Sequence, residues 1–378
     1  MRPRQSELNS PRARRVRLVD SAALFMKPSP TTPQPAAPSR RRFLRGGLRG
    51  LAVFGLGNAL GWFSPRARAR GAEVAGRGNA SKGLGKEFEY DVSKFRKTDP
   101  KLLRYDAAGG FASGFKELRG LAVGPNDRIY AAGDQAIRCF ASDGTLLNQI
   151  AVGAQVRCLA APDATLYAGL KNRVLVLAPD GARKAEWPAF PAEALITSIA
   201  VSGGDIFVAD AGRRLVLRCD TAGRVVTEIG RKDKSRNVPG FIVPSPYFDV
   251  AVGADGMLWA ANPGQLRLEA FTLDGRFESS WGEPSLGVAG FCGCCNPVHF
   301  ALLPDGRFVT SEKGITRIKL YSPDGKLEGV VAGPESFPKY FENPNATHTG
   351  IDVATDSKER VLIADSLSGE IRIFTPKK

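Results

Sequence analysis

The chain has 378 residues, a formal net charge of +15, six cysteines and two histidines. The charge is concentrated: residues 1–70 carry 15 Lys and Arg against Glu7 and Asp20, leaving 38 basic and 36 acidic side chains for the rest. A near-neutral body has no electrostatic footprint for a polyphosphate backbone, so nucleic acid is excluded as the expected partner.

The basic N-terminus reads as an address label. Ser39-Arg40-Arg41-Arg42-Phe43-Leu44-Arg45 resembles the twin-arginine export consensus, with Arg in place of the final Lys. A Gly- and Ala-rich apolar stretch follows from Gly50 to Phe63, shorter than the roughly 20 residues that span a bilayer. Pro65 and the triplet Ala67-Arg68-Ala69 then offer a cleavage site. Residues 1–70 are thus expected to be a signal region, with Met26 as an alternative start, and 71–86 a flexible lead-in. The mature protein is expected to lie in the periplasm or elsewhere outside the cytoplasm, without a transmembrane anchor. It would be carried there already folded by the twin-arginine translocase.

From residue 87 to 378 one phrase recurs. RIKLYSPDG (317–325) is echoed at 136–144, 173–181, 215–223 and 268–275, and by the terminal IRIFTPKK (371–378). An alternating apolar strand running into an Asp-Gly turn, repeated every 37 to 53 residues, marks a repeat architecture. Ahead of each phrase lie an inner apolar strand (LRGLAV 118–123, VRCLAA 156–161, ITSIAV 196–201, YFDVAV 247–252, VHFALL 298–303, TGIDVA 349–354) and a second strand such as IFVAD (206–210). A fourth strand often ends in glycine, as at Gly153, Gly230, Gly282 and Gly333. Four strands repeated six times predict an all-β, six-bladed β-propeller of four-stranded antiparallel blades. The sixth blade lacks its fourth strand, so a strand from residues 87–106 is expected to close the ring.

Phe207-Val208-Ala209-Asp210, Ile363-Ala364-Asp365 and Arg317-Ile318-Lys319-Leu320-Tyr321 resemble the second and third strands of NHL-repeat propellers. That resemblance covers residues 110–378. It implies a binding platform, a minority of the family being enzymes such as peptide-amidating lyases. Those lyases rely on several metal-binding histidines, and this chain has two, so the resemblance does not carry that activity over.

Spacing shows where the repeat is distorted. Third-strand turns and the next inner-strand turns lie 20 and 23 residues apart entering blades two and three, but 33, 31 and 32 entering blades four to six. The added length falls in loops on one face, where binding sites are built on rigid scaffolds. One of these loops holds Phe291-Cys292-Gly293-Cys294-Cys295-Asn296-Pro297-Val298-His299. Cys292, Cys294, Cys295 and His299 are donors that suit a thiolate-bound metal or a redox site, with disulfides, Cys158 included, as the alternative. His348 is placed on the same face beside the next inner strand. Glu312 and Lys313, in the neighbouring loop, read as substrate contacts or as a solvated ion pair. Arg236, in the basic segment 231–246, reads as a rim residue steering an anion or as plain loop. Cys139 and Cys219 are expected as apolar fillers, and Asp210 and Asp365 as hydrogen-bonding ends of their strands. The leading expectation is a platform that binds a protein or small molecule on the long-loop face of blades four to six. The alternatives are a metal-binding or redox propeller at the cysteine loop, then a metal-dependent lyase or hydrolase.

Overall fold

The computed structural model describes residues 93–235, 238–342, 346 and 349–378. The signal region, the lead-in, Arg236 and His348 lie outside these residues. Six four-stranded antiparallel sheets form, each in sequential strand order except the last. Blade one comprises Leu118–Gly124, Arg128–Gly133, Ala136–Phe140 and Leu146–Ala151, and the pattern repeats through blade five, which ends at Leu327–Ala332. The sixth sheet combines Asp352–Thr355, Val361–Asp365 and Glu370–Pro376 with an N-terminal strand, Tyr105–Ala112, as its outer member.

The ring therefore closes with the N-terminal strand outermost. That strand lies later than residues 87–106: Ser93–Phe95 and Pro100–Leu102 are single 3₁₀ turns, and pairing begins at Tyr105 opposite Pro376. Pro100 lacks a backbone N–H and leads its 3₁₀ turn, with Asp99 accepting from Lys101 N–H, so the segment ahead of Tyr105 is turned instead of extended.

The core is not one mass but six layers between blades. Cys158, Tyr167 and Val176 of blade two pack against Ile196, Val208 and Leu217 of blade three. Val309 and Leu320 of blade five likewise meet Val353 and Ile363 of blade six. The Asp-Gly turns serve this stacking. Gly223 has φ +80° and Gly325 has φ +80°, and a Cβ on either would stand 2.3 or 2.4 Å from the indole of Trp187 or Trp281 on the preceding blade's outer side. Glycine is needed there both for the left-handed turn and for the ring lying on it. The repeated phrase is an interblade socket.

A second rule governs the long-loop face. The position that closes the second strand is Gly133 in blade one, Asp210, Asn262, Glu312 and Asp365 in blades three to six, and in blade two is taken by Leu170, just past the strand Leu166–Gly169. Each polar member binds the segment entering its blade. Asp210 accepts from Leu195 N–H (3.0 Å), Asn262 from Ile242 N–H (2.9 Å) and Glu312 from Cys292 N–H (3.0 Å). Asp365 accepts from the Tyr340 hydroxyl (3.2 Å). Asp210 and Asp365 thus hold their blades by hydrogen bonds, and Cys139 and Cys219 are buried in interblade layers.

Candidate functional site

The six inner strands present one equivalent position each toward the axis. In order these are Gly120, Cys158, Ser198, Asp249, His299 and Asp352, matched by their pairing opposite the same second-strand position. Three of them stitch neighbouring blades. Ser198 Oγ accepts from Val250 N–H (3.3 Å), Asp249 Oδ2 from Phe300 N–H (2.9 Å) and Asp352 Oδ2 from Leu121 N–H (2.8 Å). His299 stands between the two aspartates. Its Nδ1 lies 3.4 Å from Asp249 Oδ2 and 3.5 Å from Asp352 Oδ1, and its side chain is 13% exposed. Among the described residues these three bring one donor atom each within 4.8 Å of one another.

Burial opposes charge on His299, but the carboxylates of Asp352 and Asp249 outweigh it and raise its pKa above the ordinary value. Burial, with Asp249 adding repulsion, raises Asp352 to about 6, against the pull of His299. Burial and the same two carboxylates push the Cys158 thiol up, so it faces the axis as a neutral group.

Two cavities meet at this ring. A channel of about 310 Å³ runs between the inner strands, and a chamber of about 450 Å³ opens above it on the long-loop face. His299 and Thr197 line both. The chamber adds Arg119, Arg157 and Tyr247 to its wall. The Tyr247 ring stands edge-on to His299 at 5.6 Å, and its hydroxyl accepts from Gly350 N–H at 2.8 Å. Blades one and two thus contribute to the opening along with the long loops. Inner-strand register was the sequence signal for Asp249 and Asp352: both stand where His299 stands, in Asp-Val-Ala phrases.

The cysteine loop is held from below by buried charge. Glu312 is fully buried and takes Arg317 Nε at 2.7 Å and Lys319 Nζ at 3.3 Å. Lys319 also donates to Gly290 O at 2.7 Å and sits 4.3 Å from the centre of the Phe291 ring. Burial lowers Lys319 to about 8 despite Glu312. Glu312 is therefore neither a substrate contact nor half of a solvated pair. It is an anchor, because strand pairing with Arg317 turns its carboxylate into the sheet stack. Asn296 completes the hold, with Nδ2 donating to Cys292 O (2.7 Å) and Lys313 O (3.0 Å) and Oδ1 accepting from Lys313 N–H (2.9 Å).

All six cysteines stand as free thiols. Cys292 is buried with its sulfur 3.8 Å from Lys313 O, while Cys294 is exposed and Cys295 buried, their sulfurs 3.5 Å apart. The three thiols and His299 are not gathered into one donor set within 4.8 Å. His299 turns to the axial aspartates instead, and Cys292 turns under the loop. Lys313 is buried, its ammonium 3.1 Å from Ser245 Oγ and 4.9 Å above the Tyr247 ring.

No protein-family model matches the chain, and no curated protein matches it in sequence. Solved structures do match in shape. A protein of unknown function from Bacteroides thetaiotaomicron aligns with TM-score 0.53 and 15% identity over 73% of this chain and 74% of that one. A streptogramin B lyase aligns with TM-score 0.50 and 14% identity over 74% of this chain and 100% of that one. A catalytically inactive virginiamycin B lyase from Staphylococcus aureus, with quinupristin, aligns with TM-score 0.50 and 12% identity over 72% and 100%. The likeness is one of fold.

Proposed function

We propose that this chain is an exported, NHL-type six-bladed propeller that acts as a binding platform, taking a small ligand or a partner's projecting group over its axial opening. The observation that carries this reading is the placement of His299 at the junction of channel and chamber, flanked by two carboxylates and overlooked by Tyr247. A concave, rigid site with a few convergent polar groups and a shifted titrating group is the usual form of a ligand pocket. The test is ligand-observed NMR with a panel of amino acids, dipeptides, sugars and dicarboxylates. Hits that disappear in Tyr247→Ala and His299→Ala, yet survive Asp255→Asn in an inner-strand turn on the opposite face, support the platform. Hits indifferent to all three substitutions sink it. Export is tested separately: Arg40→Lys with Arg41→Lys is expected to leave the folded protein in the cytoplasm.

A second reading, a divalent cation on the axis, is favoured by one observation. Separations of 3.4 and 3.5 Å are long for hydrogen bonds, but match the edge of a four-coordinate shell with bonds of about 2.1 Å. Titration calorimetry with Zn²⁺ and Mn²⁺ checks it, binding lost in His299→Ala being the expected result and no binding by the parent protein the contrary one. The redox alternative narrows to Cys294 and Cys295.

A further inference from the structure

Lys313 presents an unusual charge balance. Lys313 is a buried residue, yet among the described residues no carboxylate lies within ion-pair distance of its ammonium; its neighbours are Ser245 Oγ, the Tyr247 ring and the Cys295 side chain. An ammonium favours a neighbouring anion, and the group placed beside it to become one is the Cys295 sulfur. The Cys294 sulfur lies 3.5 Å from it and is the exposed member of the pair. The loop beneath is clamped by Asn296, Glu312 and Lys319, so the two sulfurs are presented from a fixed base.

We propose that Cys294 and Cys295 form a dithiol that exchanges with external disulfides, closing to a vicinal disulfide, with Lys313 as its positioning residue. The inference rests on the thiol pair and the ammonium beside it, and is independent of the axial ligand. The exposed Cys294 gives its proton to water and attacks as the thiolate one sulfur of a disulfide RS–SR, forming a Cys294–SR mixed disulfide and releasing one RS⁻, which takes a proton from water as RSH. The Cys295 thiolate then attacks the Cys294 sulfur, the second RS⁻ departs and takes a proton from water, and the two cysteines are joined. Two electrons pass from the protein dithiol to RS–SR, and two thiols are released. Burial acts against a thiolate at Cys295, but hydrogen bonds from Ser245 and Lys313 outweigh it and lower its pKa, whereas Cys294 is held up by its neighbour. The exposed sulfur is thus the point of contact and the buried one resolves.

The test uses the full chain, reduced and then treated with glutathione disulfide, followed by alkylation and peptide mass spectrometry. The expected product has lost two hydrogens across Cys294 and Cys295, leaves Cys292 alkylatable, and reverts with dithiothreitol. Cys295→Ser is expected to trap glutathione on Cys294, and Cys294→Ser to abolish the reaction. Lys313→Met is expected to move the pH profile of ring closure to higher pH and to slow closure at neutral pH, where less of Cys295 is then thiolate. Lys313→Arg should restore the profile. The proposal is overturned if all three thiols stay alkylatable, if the disulfide forms through Cys292, or if Lys313→Met leaves the profile unmoved. Cys295→Ala provides a second trapping variant should the serine variant fold poorly.

Discussion

Blades two and five are built on one plan and filled differently. Where blade two places Leu170 just past its second strand and Leu175 in its third, blade five places Glu312 and Lys319, both fully buried. Blade two receives a short connection, whereas blade five receives the cysteine loop, whose Cys292 N–H and Gly290 carbonyl are taken up by those two charged groups. A long loop brings backbone polar groups against an apolar sheet stack, and each must find a partner there. The apolar blade is the cheaper solution for stability; the charged blade is the one that can hold a loop over the axis.

Removing the anchor should break this difference most. Glu312→Gln leaves Arg317 and Lys319 buried without their carboxylate, and a loss of about 3–5 kcal/mol is expected in urea unfolding. Leu170→Ala in blade two, at the matching and partly exposed position, should cost less. A loss below about 1 kcal/mol for Glu312→Gln would falsify the anchor. Lys319 supplies the next effect. Its folded pKa of about 8 lies below the ordinary 10.5, so between those values the unfolded chain binds more protons. Stability contributed by this group is therefore flat below pH 8 and rises as pH climbs toward 10.5, by about 3 kcal/mol at most. The parent protein minus Lys319→Met isolates that slope, and equal slopes for the two proteins exclude it.

The half of this molecule that repeats was open to reading, and the half that differs between blades was less so. Strand alternation and Asp-Gly turns are local, and they revealed six blades, the closure by an N-terminal strand and the face with the long loops. Lys319 was not visible as a buried charge, because in Arg-Ile-Lys-Leu-Tyr it occupies what alternation assigns to the outer side; only the loop folded over it makes that side an interior. Glu312 followed by Lys313 looked like a surface pair, yet the two side chains diverge, one into the blade and one to the loop above. His299 was singled out, but by association with nearby cysteines. Its partners come from blades four and six, about 50 residues away on either side, and only the shared inner-strand register connects them.

The interblade sockets predict a similarity, not a difference. Gly223→Ala and Gly325→Ala both force a Cβ into an indole and a positive φ on alanine, so each should cost about 1–3 kcal/mol in either half of the ring. Thermal unfolding of the two variants checks this. A cost confined to Gly325→Ala would show that the outer sockets, and not only the loops, have diverged between blades.

The smallest effect is at the axis, where it distinguishes a charged site from a merely hydrogen-bonded one. If the carboxylates of Asp249 and Asp352 raise the His299 pKa, then Asp352→Asn should lower its titration midpoint, and Asp249→Asn should lower it too. Because the folded pKa is raised, the stability His299 contributes is present at low pH and lost as pH rises through that midpoint, and either substitution moves the loss to lower pH. The imidazole proton signals report this directly by NMR, with His348→Asn leaving His299 as the single histidine of the chain. An unmoved midpoint in both variants would mean that the backbone N–H groups of Phe300 and Leu121 already satisfy the two carboxylates. The axis would then be a structural seam between blades, and the ligand would have to be sought higher in the chamber, at Tyr247, Arg157 and Arg119.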